Sequence, residues 1–303
     1  MQFRFSLPAV LTAAVLAANY AHGAGRQGIG TYLSYNPADS KYDLTQPFLY
    51  QSPDPAVYGP GPYPVFLWVP GSFEVSFDPL SLLFVAEMSK RGFLAASVEY
   101  SNVELAQTCQ AYTARAQGVF DATRSTSAIS AICSLPNANC SKGIAVAGIS
   151  QGGVLAVLAR NYEPAVQAVY ALSAGAYNHA GIGVNLGACM NKAATAIPAN
   201  RLMIVNGQAD PAFGSQSSTE DASGFTCPAG STQCWSPDGS GAGWYIVQNS
   251  QVKDGTAGHC YIDQGGCNDL FDPNWRPPAT NNWSLQPNLD WLATMGTRRV
   301  ISQ

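Results

Sequence analysis

The chain has 303 residues, 15 basic and 19 acidic, for a net charge of −4. That modest acidity leaves no basic footprint for nucleic acid or an anionic lipid surface, and no nucleic-acid partner is expected. The length suits one large α/β domain, because such folds commonly exceed the usual domain size.

Residues 1–23 read as an export signal: Arg4 is the only charge, Leu7 to Ala18 is an apolar core, and Ala21-His22-Gly23 offers small residues at the cleavage spacing. The apolar stretch is too short to prefer a transmembrane helix, and no later segment approaches membrane-spanning length. A mature domain at 24–303, exported and monomeric, is expected; without Arg4 its charge is 14 basic against 19 acidic residues, or −5. Thr31–Tyr35 and Pro47–Gln51 are early strands, and the proline-rich Ser52–Pro64 cannot be a central one. Val65–Val69 (VFLWV) is a continuous apolar run of the kind buried on both faces of a parallel sheet, ending in Pro70-Gly71-Ser72-Phe73. Leu80–Arg91 has helical apolar spacing and stops at Gly92, and Phe93–Tyr100 is the next strand. Gln107–Ser130 reads as one weakly periodic helix.

Lys142–Ala159 (KGIAVAGISQGGVLAVLA) is the stretch around which the chain is organised. A strand-length apolar run turns through Gly148-Ile149-Ser150-Gln151-Gly152 into a segment of helical length. Strand, G-x-S-x-G, helix is the context of a nucleophile elbow. The turn is so sharp that the residues two before and two after the serine must lack a Cβ, which Gly148 and Gly152 supply. Ser150 is the candidate nucleophile, strained and exposed over a helix N-terminus. Further on, Val166–Ser173, Arg201–Val205 and Trp244–Val247 are strands and Gln286–Met295 a helix. Alternating strands and helices imply a mostly parallel, doubly wound sheet flanked by helices.

All eight cysteines follow residue 23. An even number after an export signal argues for disulfides, and the chain has no C-x-x-C and only three histidines, so zinc spacing is absent. Three pairs stand seven apart: Cys133 with Cys140, Cys227 with Cys234 and Cys260 with Cys267. Proximity favours these as local staples and leaves Cys109 with Cys189, among the 105 pairings that eight cysteines allow. In the chain-entropy model each small loop adds about 2.5 kcal/mol and the long one about 4.5.

The unit LFVAEMSKRGFLAASVEY, the elbow GISQGG, the acid in NGQADP and the late Gly258-His259 together resemble the α/β-hydrolase superfamily over nearly all of the mature sequence. GISQGG with PGSF is also similar, less specifically, to cutinases and other secreted carboxylesterases. The resemblance implies that fold, and a serine, an acid and a histidine in that chain order. A serine hydroxyl needs a base. His22 leaves with the signal and His179 follows a strand in a glycine-rich loop; His259 stands where the superfamily presents its base. Asp210, just past the strand at Arg201–Val205, is the favoured acid, with Asp221, Asp254 and Asp263 as competitors. For the oxyanion hole, the residue after the nucleophile, Gln151, supplies one N–H. Aligning Pro70-Gly71-Ser72 with the superfamily's His-Gly-x puts the second at Ser72, with Phe73 as fallback.

Residues 211–258, rich in Gly, Ser, Thr and Pro, read as a lid or specificity loop. Phe73, Phe213, Trp244 and Tyr261 are candidate pocket residues; such aromatics equally serve a core. The expected function is hydrolysis of a small-molecule or polymeric carboxylic ester, with no cofactor or metal. A serine peptidase or acyltransferase on the same fold, and a non-catalytic binding protein, stay open as alternatives.

Overall fold

The computed structural model describes residues 25–104, 108–179 and 184–297. The expected export signal, with His22, lies outside the described residues, as does Gln107 at the start of an expected helix.

The strands are β1 (Gln27–Asn36), β2 (Lys41–Gln51), β3 (Val65–Val69), β4 (Leu94–Val98), β5 (Ile144–Ile149), β6 (Val166–Leu172), β7 (Asn178–His179), β8 (Val184–Asn185), β9 (Leu202–Gly207), β10 (Gln233–Trp235) and β11 (Gly243–Val247). All but β7 and β8 form one sheet in the order β1-β2-β4-β3-β5-β6-β9-β11-β10. From β4 to β11 neighbouring strands run parallel, while β1, β2 and β10 pair antiparallel at the edges. The strand-length apolar runs land in the parallel part, where both faces are covered.

The six longer helices are α1 (Pro79–Ser89), α2 (Cys109–Phe120), α3 (Ala128–Cys133), α4 (Gln151–Leu158), α5 (Gln216–Ser223) and α6 (Leu285–Gly296). Successive residues of a strand point to opposite faces, and β3 shows the result. Val65, Leu67 and Val69 join one core with Tyr112, Val119, Ile129 and Val154 from α2, α3 and α4. Phe66 and Trp68 join the other, with Leu80, Phe84, Leu289 and Leu292 from α1 and α6. Trp68 stacks on Phe84 at 3.8 Å between ring centroids.

The single helix expected over Gln107–Ser130 is two. Short polar side chains between them bond their own backbone instead of continuing the helix. Asp121 Oδ1 accepts the N–H of Thr123 at 3.0 Å, and Ser127 caps α3 by accepting from the Ser130 N–H.

The four disulfides join Cys109–Cys189, Cys133–Cys140, Cys227–Cys234 and Cys260–Cys267, as proximity favoured. The segment 211–258, expected as a lid or specificity loop, is not one continuous loop. It contains α5, the edge strand β10 and β11, which pairs with β9 inside the sheet. Its glycine content serves tight turns, with positive φ at Gly230, Gly239 and Gly241. Two candidate pocket residues are likewise core. Trp244 is fully buried and its indole N–H donates to Phe225 O at 2.8 Å. Tyr261 is buried beneath the other face and its hydroxyl donates to Val205 O. Among the described residues no helix is long and apolar enough to cross a membrane.

Candidate active site

Two parallel strands, β5 and β9, deliver Ser150 and Asp210 past their carboxyl ends, where open α/β sheets place their sites. Ser150 follows β5 at φ 54°, ψ −122°, a conformation that an L-residue adopts only when its surroundings impose it. The two flanking glycines show what imposes it. A Cβ on Gly148 would stand 2.4 Å from the Gly152 carbonyl oxygen, and one on Gly152 would stand 2.1 Å from Val69 O and 2.3 Å from Pro70 O. The elbow is therefore wedged against the end of β3, and α4 starts with all eight of its residues buried.

Asp210 lies three residues past β9, its carboxylate wholly buried. Oδ1 accepts the backbone N–H groups of Ala212 at 2.8 Å and Phe213 at 3.1 Å. Oδ2 is 2.8 Å from His259 Nδ1, and His259 Nε2 is 2.8 Å from Ser150 Oγ. The loop carrying His259 passes close over the end of β9. The Ala209 N–H donates to Ala257 O at 2.7 Å, and a Cβ on Gly207 would stand 2.3 Å from the carbonyl oxygens of Ala257 and Gly258. The Ser173 hydroxyl donates to His259 O, fixing the histidine backbone, and the disulfide from Cys260 closes the next seven residues into a ring.

The competing acids are engaged elsewhere. Asp254 is exposed and caps its own turn, accepting from Thr256 N at 3.0 Å and Gly265 N at 2.7 Å; these bonds hold its carboxyl below the usual range. Asp263 accepts from Asn268 N and Asp269 N, and Asp221 lines a groove with Asp210, Gln208, Ser215 and Ser217. His179 is in the β7–β8 hairpin. The Phe213 ring lies 6.0 Å from the His259 ring, and Phe73 is 73% exposed on the loop after β3.

That loop can be accounted for bond by bond. The Gly71 N–H donates to Glu74 Oε2 at 2.5 Å. Pro70 O accepts from the Tyr100 hydroxyl at 3.0 Å. Asn102, buried after β4, donates its side-chain amide to Gly71 O and Glu74 O, each at 2.7 Å, and its own carbonyl accepts the Phe73 N–H at 3.2 Å. Of the three N–H groups at 71–73, only that of Ser72 has no acceptor among the described residues. Phe73, the fallback donor, is committed to Asn102. The Gln151 N–H opens α4, where the first turn has no intrahelical acceptor. The N–H groups of Ser72 and Gln151 thus stand after the ends of β3 and β5.

Sequence reasoning did not find Glu74, Tyr100, Asn102 or Arg115, and no motif marks them. Burial pushes the Glu74 carboxyl up to about 8, against the Gly71 N–H that lowers it, with Asp78, Asp269 and Asp263 adding like charge. Arg115, buried in α2, donates to Gln151 Oε1 at 2.5 Å. Among the described residues no three His, Cys, Asp or Glu side chains converge as metal ligands would.

A nucleophile, a ring nitrogen to take its proton, a carboxylate on the other ring nitrogen and two N–H donors make up an arrangement capable of acyl transfer. No protein-family model and no curated protein matches this chain. Among solved structures, it aligns with esterase Est22 at 15% identity and TM-score 0.41, over 67% of this chain and 73% of that one. It aligns with an S-formylglutathione hydrolase from Agrobacterium tumefaciens at 16% identity and TM-score 0.43, over 63% and 78%. A hypothetical protein from Pseudomonas aeruginosa matches at 20% identity and TM-score 0.38, over 50% of this chain and 44% of its own length. At these identities and TM-scores the likenesses bear on neither substrate nor chemistry.

Proposed function

We propose that the chain is an exported serine hydrolase that cleaves carboxylic esters through an acyl-enzyme. The observation that carries this reading is the unbroken contact from Asp210 through His259 to Ser150, 2.8 Å at each step. In the proposed mechanism Ser150 Oγ attacks the ester carbonyl carbon as His259 Nε2 takes its proton. The carboxylate of Asp210 holds the Nδ1 proton in place and stabilises the imidazolium. The carbonyl oxygen, negative in the tetrahedral intermediate, is met by the N–H groups of Ser72 and Gln151. His259 then gives its proton to the leaving alcohol, and the bond between carbonyl carbon and alkoxy oxygen breaks. Water, activated by the same nitrogen, attacks the acyl-Ser150 ester and releases the acid. The reaction uses no cofactor.

Export is part of the proposal, supported by the pattern of residues 1–23 and by four disulfides, which persist in oxidising compartments. A monomer is proposed with it. Phe73 and Phe213 are proposed to flank the bound ester.

Labelling with a serine-directed phosphonate, followed by mass mapping, tests the nucleophile. One adduct on Ser150 is expected, and Ser150→Ala is expected to lose several orders of magnitude in ester hydrolysis while its melting temperature is nearly unchanged. Residual activity of even a few per cent in that variant would remove Ser150 from the role. A panel of p-nitrophenyl esters of rising chain length, run beside peptide amides and alcohol acceptors, separates ester hydrolysis from peptidase and acyltransferase activity.

A further inference from the structure

Arg115 is 4% exposed, in the middle of α2. Among the described residues no carboxylate lies within ion-pair distance of it. Its charged neighbours act at longer range: exposed Glu104, and the phenols of Tyr100, Tyr112 and Tyr35. Desolvation pushes the guanidinium down from its ordinary value. A buried cation without a counter-ion is a costly thing for a fold to keep. Arg115 Nη1 donates to Oε1 of Gln151, the residue after the candidate nucleophile, at 2.5 Å, and Gln151 is itself 1% exposed. Tyr100, which lies near both Arg115 and Gln151, donates its hydroxyl to Pro70 O at 3.0 Å, two residues before Ser72. Arg115, Gln151 and Tyr100 thus form a buried polar group beside both loops that supply the candidate oxyanion donors.

We propose that Arg115 is a positioning residue for the oxyanion site: it holds Gln151 so that the main-chain N–H meets the substrate oxygen, and it sets a permanent positive charge behind that oxygen as it becomes negative. The proposal rests on the ester-hydrolase reading above. A fixed charge in a buried site interacts weakly with a neutral ester carbonyl and strongly with the oxyanion, so its effect falls on the transition state and not on substrate binding. A guanidinium suits this task because it stays charged when desolvated, which an ammonium does not.

The test compares the wild-type protein with Arg115→Met on p-nitrophenyl acetate, with reactive sites counted by stoichiometric phosphonate inactivation. Turnover per reactive site is expected to fall about 10- to 100-fold, less than for loss of an oxyanion donor itself, with KM changed less than about threefold. If Arg115 only supports the fold, fewer sites will titrate and melting will come earlier, but each reactive site will turn over at the wild-type rate; that result overturns the proposal. Arg115→Lys decides the matter if the Met variant does not fold. Its kcat is expected to hold within about tenfold near neutral pH and to fall at alkaline pH, as the desolvated ammonium loses its proton. Burial pushes Tyr112 up to about 12 and Tyr100 well above its ordinary value, so neither titrates in that range. Glu74, near Tyr100, titrates alike in both proteins. A Lys profile parallel to that of the wild type overturns the proposal. A wild-type protein that neither cleaves the ester nor reacts with the phosphonate overturns the hydrolase reading, and this inference with it.

Discussion

Asp210→Asn separates charge and tautomer from packing. In the wild type, Oδ1 accepts the N–H groups of Ala212 at 2.8 Å and Phe213 at 3.1 Å. Two backbone donors will hold the amide oxygen of the variant in that same place. The NH2 group then falls at the Oδ2 position, 2.8 Å from His259 Nδ1, and a donor there requires Nδ1 to be the acceptor. The ring proton moves to Nε2, which faces Ser150 Oγ at 2.8 Å and can no longer take its proton. Turnover is expected to fall by about 10³ to 10⁴, or about 4 to 5.5 kcal/mol of barrier. Both backbone bonds survive, so melting should shift by only a few degrees. The assay is kcat per phosphonate-titrated site, with Asp254→Asn as control. Asp254 is exposed and its oxygens accept only the backbone N–H groups of Thr256 and Gly265, so that variant, which keeps one oxygen, should stay within about threefold of wild type. A loss below tenfold in Asp210→Asn, or a larger loss in Asp254→Asn, would refute the assignment of the acid.

Burial raises the Glu74 carboxyl to about 8 from an ordinary 4.5, so the folded protein holds a proton that the unfolded chain releases. This contribution to stability is complete below about pH 4.5 and is lost as pH rises through about 8. Melting temperature should therefore fall more steeply between pH 5 and 9 in the wild type than in Glu74→Gln, which keeps an oxygen for the Gly71 N–H; equal slopes would count against a buried neutral carboxyl. Replacing Cys260 and Cys267 together by serine should cost about 2.5 kcal/mol of stability and also lower turnover at temperatures where the protein is fully folded, because the ring they close begins one residue after His259. The Cys227–Cys234 pair ends on the edge strand β10, so its removal should cost similar stability and leave turnover unchanged; urea melts and kcat per titrated site distinguish the two.

The features that the chain declares on its own are local. The run VFLWV, the strand–GISQGG–helix passage and the seven-residue cysteine spacings each depend on neighbours in sequence, and they predict buried parallel strands, the elbow and the staples. Asp210 and His259 could be put forward because an acid past a strand end and a late histidine are also local marks, but their meeting 49 residues apart is a property of the sheet, which brings the ends of β9 and β5 side by side across β6. Trp244 and Tyr261 show the converse. An aromatic residue near a site in sequence points into the pocket or into the core according to which face of its strand or loop is covered, and composition does not encode that choice. The strands within the glycine-rich stretch 211–258 were hidden for a related reason, since turns between sheet strands and long loops draw on the same residues. Asn102, Glu74 and Arg115 carry no mark at all. What each does depends on partners 28, 3 and 36 positions away, and a buried amide, acid or cation acquires its role only when the fold has removed water from around it.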